Sequence, residues 1–216
     1  MTASSGKGWA DGWLEAFFKG KKEKGETMTE SKLTLDDLLA MSNSQRRQVM
    51  FAAHPIDLEA LEGKMYRGID LSLPPIMNKV LWKTFRKTFV RIPETGELRG
   101  WNVRMEQTGW EGPGKPMMKN GKQISFGHYR VKSAKGIKFP GGWSGEQFLD
   151  YTIAGNPWFD PAGLGYTPLV AVNQGSNDLL LGWEIFKIGP VFVPLPDYWA
   201  LKLEGPLDEV VPVPRP

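Results

Sequence analysis

The tightest constraint on this chain is a series of short alternating segments between Lys64 and Glu204 that follow one another with little helical interruption. Met65, Arg67, Ile69 and Leu71 alternate with Tyr66, Gly68, Asp70 and Ser72. In 98–106, Trp101, Val103 and Met105 face one way, and Asn102, Arg104 and Glu106 the other. Residues 88–92, 123–132, 147–153, 169–173, 179–187 and 198–204 read as further strands. About eight sequential antiparallel strands remove their exposed edges by closing into a barrel. The interior of such a barrel is just filled by side chains or holds one small ligand. The fold class expected is therefore mainly β, an antiparallel barrel of about eight strands.

The 25 glycines and 17 prolines supply the turns that so many strands need. Pro74 and Pro75 end the first strand, since neither donates to a sheet ladder. Pro93 to Gly96 forms a tight turn, and Gln174 to Asp178 joins a hairpin. The stretches 107–122, 135–146 and 154–166 are long Gly/Pro-rich connections. Trp110, Met117 and Met118 in the first of these either line a mouth or fold back on the core. Between the first two strands, Ile76, Met77, Val80, Leu81 and Phe85 recur at helical spacing. Lys79, Lys83, Arg86 and Lys87 lie largely off that face, which predicts a cationic helix set as a lid over a cavity.

Residues 1–60 form an N-terminal helical extension, 61–205 the barrel domain and 206–216 a Pro-rich tail. Thr34 and Ser42 are suited to cap two short helices whose apolar faces hold Leu35, Leu38, Leu39, Val49, Met50 and Ala53. Leu179 to Trp183 is apolar on both faces, as in a central strand or one covered by those helices. Trp9, Trp13, Leu14, Phe17 and Phe18 share one helical face just before the lysine-rich 19–24. That pattern suits either a helix lying on an anionic membrane or one docked on its own domain.

Composition excludes several classes. The chain has no cysteine, so disulfides, thiol catalysis and thiolate metal sites are ruled out. His54 and His128 are its two histidines, too few for an all-histidine metal site. A net charge of +3, with acids and bases interspersed, gives no dense basic face for nucleic acid. No apolar run reaches the roughly 18 residues that span a bilayer. A signal sequence is likewise not evident, which makes the cytoplasm, with peripheral membrane contact, the expected compartment. Neither a nucleophile-elbow serine motif nor a phosphate-cradling loop occurs.

Gly63-Lys64-Met65-Tyr66-Arg67-Gly68 at the first strand resembles the opening of lipocalin-type (calycin) barrels, with Tyr66 where that motif has Trp and one extra residue. The helix expected after it resembles the portal of intracellular fatty-acid-binding proteins. The resemblance implies one hydrophobic ligand held inside the barrel; separately, no cofactor is expected.

The residues themselves suggest where chemistry could reside. Phe126, His128 and Arg130 share one strand face. If that face points inward, Arg130 and Arg104 would pair with a ligand carboxylate among Phe126, Tyr66, Trp101 and Trp183. If it points outward, Tyr129 and Val131 are inside instead. Asp150 on the neighbouring strand could orient His128 as a general base. A single histidine near an apolar face could also serve as a haem ligand, though it is more often structural. Three functions fit: a carrier of a small hydrophobic ligand, anionic where Arg130 pairs with it; a cofactor-free cyclase or isomerase using His128; or a protein-interaction module with a filled barrel.

Overall fold

The structure, a computed structural model, describes residues 32–72 and 83–214. Thr34–Pro216 forms one compact unit and Met1–Leu33 a separate one. The aromatic stretch 9–18 and most of the stretch expected to form a lid helix, 73–82, lie outside the described residues.

Two short helices open the larger unit: α1 (Leu35–Ala40) and α2 (Asn43–Ala52). Each begins with a capping box, Thr34 with Asp37 and Ser42 with Gln45, so the first amides of each helix are satisfied locally. A one-turn helix, α3 (Leu58–Leu61), follows, capped by Asp57. The strands are β1 (Lys64–Asp70), β2 (Thr84–Arg91), β3 (Leu98–Arg104), β4 (Met118–Lys119), β5 (Lys122–Gln123), β6 (Ser125–Ser133), β7 (Gln147–Asp150), β8 (Tyr166–Asn173), β9 (Ser176–Ile188) and β10 (Val191–Pro206). Eight of them close a barrel in the order β1-β10-β9-β8-β7-β6-β3-β2, and β4-β5 is a separate small hairpin. Every neighbouring pair in the barrel is antiparallel. This is the eight-stranded barrel the alternation predicts, and it is compatible with a lipocalin-like barrel.

The stretch between β1 and β2 departs from the helical reading at its C-terminal end. Thr84, Phe85, Arg86 and Lys87 are strand residues, paired with β1 from Ile69↔Thr84 to Tyr66↔Lys87. In 81–89, spacings of four residues and of two coexist. Pairing on both sides of β2 fixes the period of two.

Closure decides which residues are inside. Tyr66, Phe89, Leu98, Tyr129, Val131, Leu149, Leu169, Ala171, Leu180 and Leu201 fill one half of the interior. Ile56 and Leu61 join this cluster and close that end. Rings meet edge-on through it, Tyr66 to Phe89 at 5.6 Å and Phe89 to Tyr129 at 5.7 Å. Outside the barrel, α1 and α2 cover β8, β9 and β10, as the two-faced apolarity of Leu179–Trp183 predicts. Phe51 packs on Trp183, and Trp143 Nε1 donates to the Met50 carbonyl at 3.2 Å. The buried Arg46 guanidinium ties the two helices to the end of β1, donating to the carbonyls of Leu38, Leu39 and Leu71. The C-terminal tail runs back along β3, where Leu207 and Val211 cover Trp101, Val103 and Met105.

Gly100 sits where two interior elements converge. A Cβ there would lie 1.9 Å from the Thr88 carbonyl oxygen and 2.5 Å from the Tyr129 ring. The Tyr129 hydroxyl donates to that same Thr88 carbonyl at 2.8 Å. Gly100→Ala therefore destabilises the barrel by about 1–3 kcal/mol, the range for overpacked cores, as measured by urea unfolding. A midpoint equal to wild type would show that β2 and β3 separate more easily than this packing allows.

Candidate functional site

The other half of the interior is polar. Its centre is Lys87, on the inward face of β2 between Phe85 and Phe89. The residue is only 2% exposed. Its Nζ donates to Asn102 Oδ1 at 2.7 Å and makes a short hydrogen bond to the Tyr151 hydroxyl. Four rings surround the amine, with centroids at 4.6 Å (Trp199), 4.9 Å (Tyr129), 5.1 Å (Tyr151) and 5.4 Å (Phe85). Ring faces and two hydrogen bonds replace part of the hydration an ammonium loses on burial.

Each strand contributes for a local reason. Gly68 on β1 and Gly182 on β9 lack side chains where Phe85 and Trp199 lie, since a Cβ would meet those rings at 2.2 Å. Asn102 is locked by its second bond, from Nδ2 to the Gly127 carbonyl at 3.1 Å. Glu184 on β9 accepts from Trp199 Nε1 and from the buried Thr167 hydroxyl, both at 3.4 Å. Asp197 on β10 shares a hydrogen bond with Asp70 at the end of β1. Asp70, Glu184 and Asp197 are half-buried, whereas Lys87, Asn102 and Thr167 are buried. A polar column thus descends from partly exposed carboxyls to the enclosed amine.

The electrostatics follow from that arrangement. Burial lowers the Lys87 ammonium to about 7, and the Glu184 charge holds it from falling further. Burial raises the Glu184 carboxyl, with Lys87 opposing. The Asp197 carboxyl is pushed up to about 8 by burial, with the negative charges of Asp70 and Glu184 adding to the effect. Tyr151 and Tyr129 are raised well above the usual phenol range by burial. Several titratable groups displaced by desolvation and by one another, in one enclosed place, mark a functional-site candidate.

The residues singled out in the sequence lie elsewhere or play other parts. His128 and Arg130 are on the outward side of β6, and Tyr129 and Val131 point in; an extra residue in β6 between Phe126 and Tyr129 reverses the alternation, so Phe126 stands opposite the inward-facing Asn102 and does not share their face. His128, Phe126 and Arg104 do come together, in a cleft of about 420 Å³ between β6 and the 154–165 connection that Asp160 and Pro214 also line. There the Arg104 guanidinium lies 5.6 Å from the Phe126 ring centroid. His128 is lowered to about 4 by burial and by the Arg99 charge, against a smaller opposing effect of Asp160. Its ring lies beside Trp101, and its backbone is clasped by Asn156 in both directions at 2.7 Å. Asp150 accepts from the Thr152 amide and hydroxyl, closing the turn after β7. Arg130 pairs with Glu97 at 3.3 Å. Trp101 lies under the C-terminal tail and Trp183 under α2, its Nε1 donating to the Leu195 carbonyl. Tyr66 is interior, in the apolar half.

Lys87, Asn102, Tyr151 and Glu184 escaped the sequence reading. One signal was present: Phe85, Lys87 and Phe89 alternate, so a strand would place the lysine between two core aromatics. Among the described residues, no group of three or more His, Cys, Asp or Glu is placed to hold a metal ion. Neither a protein-family model nor a curated protein matches the chain.

Two pH effects of opposite sign follow. The unfolded chain keeps the Lys87 proton up to about pH 10.5, while the folded barrel releases it near 7. Lys87 therefore opposes folding most below pH 7, and the penalty fades as pH rises to about 10.5. Lys87→Met is more stable than wild type at pH 7. The difference shrinks toward pH 10 with a slope of up to about 1.4 kcal/mol per pH unit, as read from denaturant midpoints across pH. A difference independent of pH contradicts a desolvated lysine. Asp197 acts in the reverse sense. Its raised folded value means that its contribution is complete below about pH 4 and is lost as pH rises through about 8. Asp197→Asn accordingly gains stability over wild type between pH 5 and 8, and equal pH profiles would remove the buried-carboxyl assignment.

Proposed function

We propose that this chain binds a small, mainly apolar molecule inside the barrel, with a carbonyl or carboxylate group of that molecule at Lys87 and Tyr151. The observation that carries this reading is the enclosed amine, ringed by Phe85, Tyr129, Tyr151 and Trp199 and hydrogen-bonded to Tyr151 and Asn102. Burying a lysine and desolvating Glu184 and Asp197 near it opposes folding, so their convergence argues for a task beyond packing. Aromatic walls with a few polar groups at one end suit a ligand with an apolar body and one hydrogen-bonding head. Lys87 and the Tyr151 hydroxyl both offer protons to an acceptor, and an ionised carboxylate would also raise the lysine's affinity for its proton.

The expected result is a one-to-one complex with decanoic acid, decanal or 2-decanone in native mass spectrometry of the full chain. Lys87→Met and Tyr151→Phe each weaken it at least tenfold, while Arg130→Ala leaves it unchanged. Equal occupancy in Lys87→Met and wild type would refute the interior site.

A second reading is acid–base catalysis on such a ligand, a cofactor-free isomerisation or cyclisation. It is favoured by Lys87 near 7 and Asp197 near 8, in the range where groups exchange protons at neutral pH. Lys87, rather than His128, is then the base, because burial holds His128 down at about 4, away from neutrality. In a turnover assay on a bound ligand, this reading requires loss of activity in Lys87→Met and retention in His128→Ala.

A further inference from the structure

Four connections leave the end of the barrel where the polar column begins: 71–83, 105–124, 151–165 and the β9–β10 turn. Three of them are described almost throughout, and all three carry large apolar side chains into solvent. Trp158 is 94% exposed and Phe159 71%, on the β7–β8 connection with Ile153. Met118 at the β4–β5 hairpin is 55% exposed, and Ile188 and Val191 flank the β9–β10 turn at 53% and 55%. The opposite end is different: its turns at 92–97 and 174–175 present Glu94, Thr95 and Gln174 to solvent.

We infer that this end of the barrel is a membrane-contact face, seated on a bilayer with anionic headgroups. Exposed apolar residues scattered singly need no explanation, but their gathering at one end does. They stand on separate loops around a rim, Trp158 and Phe159 edge to face at 5.8 Å, instead of forming one groove for a peptide or helix. A soft, flat apolar phase accommodates such separated tips. Tryptophan settles at the headgroup boundary, and phenylalanine inserts beside it as apolar area. The cations stand directly beside the apolar tips, while the exposed acids of the same connection, Glu106 and Glu111, precede the hairpin. Lys115, Lys119 and Lys122 are exposed beside Met118, and the half-buried Lys187, its amine over the Tyr166 ring at 4.7 Å, lies next to Ile188. Long lysine stems can follow the apolar tips inward while their ammoniums stay with anionic phosphates. The face stands on surface exposure and charge, independently of what the interior holds.

The test is co-sedimentation of the full chain with large unilamellar vesicles of phosphatidylcholine containing a quarter phosphatidylglycerol. Wild type binds, and Trp158→Ser with Phe159→Ser weakens binding by about tenfold or more, consistent with two aromatic anchors leaving the interface. Lys119→Glu with Lys122→Glu removes the advantage of phosphatidylglycerol over pure phosphatidylcholine. Both pairs are exposed, and an unchanged circular dichroism spectrum confirms that the variants fold. Native mass spectrometry with decanoic acid separates the claims, since the Trp158/Phe159 variant keeps its interior ligand if the barrel binds one. Vesicle binding equal to wild type in that variant overturns the inference and leaves the contact to 9–18. A wild type that ignores vesicles overturns it as well. If size-exclusion chromatography then shows a dimer that this variant lacks, the face belongs to a second copy of the chain.

Discussion

Everything in this molecule depends on the closure of one sheet, the pairing of β1 with β10. Seven residues of β1 are in register with β10 on one side, and six with β2 on the other. Once the ring is shut, strand parity cannot slip, because a shift by one residue would carry every interior side chain outside. Tyr66, Phe89 and Tyr129 are then held in one apolar half, and Lys87, Tyr151 and Glu184 in the other. The irregularities in β6, opposite Trp101, and in β10 let the strands curl, and the one in β6 locally reverses the alternation.

The two halves of the interior have different physical logic. The apolar half is closed by Ile56 and Leu61 and gains stability from area removed from water. The polar half gives some of that up. Burial lowers the amine among the four rings to about 7, raises the Glu184 carboxyl and, with the Asp70 and Glu184 charges, pushes Asp197 up to about 8. Such a cluster is sensitive to anything that enters it, because one added charge changes the protonation of several neighbours together. The pH and barrel stability are coupled through Lys87 for that reason, and a ligand bound there would join them.

Much of the fold was legible from the chain. Alternation in 64–72, 98–106 and 123–132 located the strands, and the capping residues Thr34 and Ser42 located α1 and α2. Pro93 to Gly96 and Gln174-Gly175 marked turns. The candidate site was not legible, for two reasons. The stretch containing Lys87 satisfies both a helical and an extended period, and only the cross-strand partners Tyr66 and Asn102 select the second. The inward face of β6 is likewise undecided by its own residues: simple alternation puts Phe126 and Arg130 on one side, and the extra residue between Phe126 and Tyr129 separates them. It is set by Gly100 on the neighbouring strand, whose missing side chain admits the Tyr129 ring. Facts of this kind belong to pairs of strands and cannot be read from one strand alone.

The central claim is that Lys87 is an enclosed, desolvated amine at the heart of the polar half. The most direct measurement is an NMR titration of its side-chain ε-carbon in uniformly labelled protein, assigned by comparison with Lys87→Met. The account predicts a midpoint near 7, rising when decanoic acid is bound. A midpoint near 10.5, unmoved by the ligand, would place the amine in water and contradict the interior site.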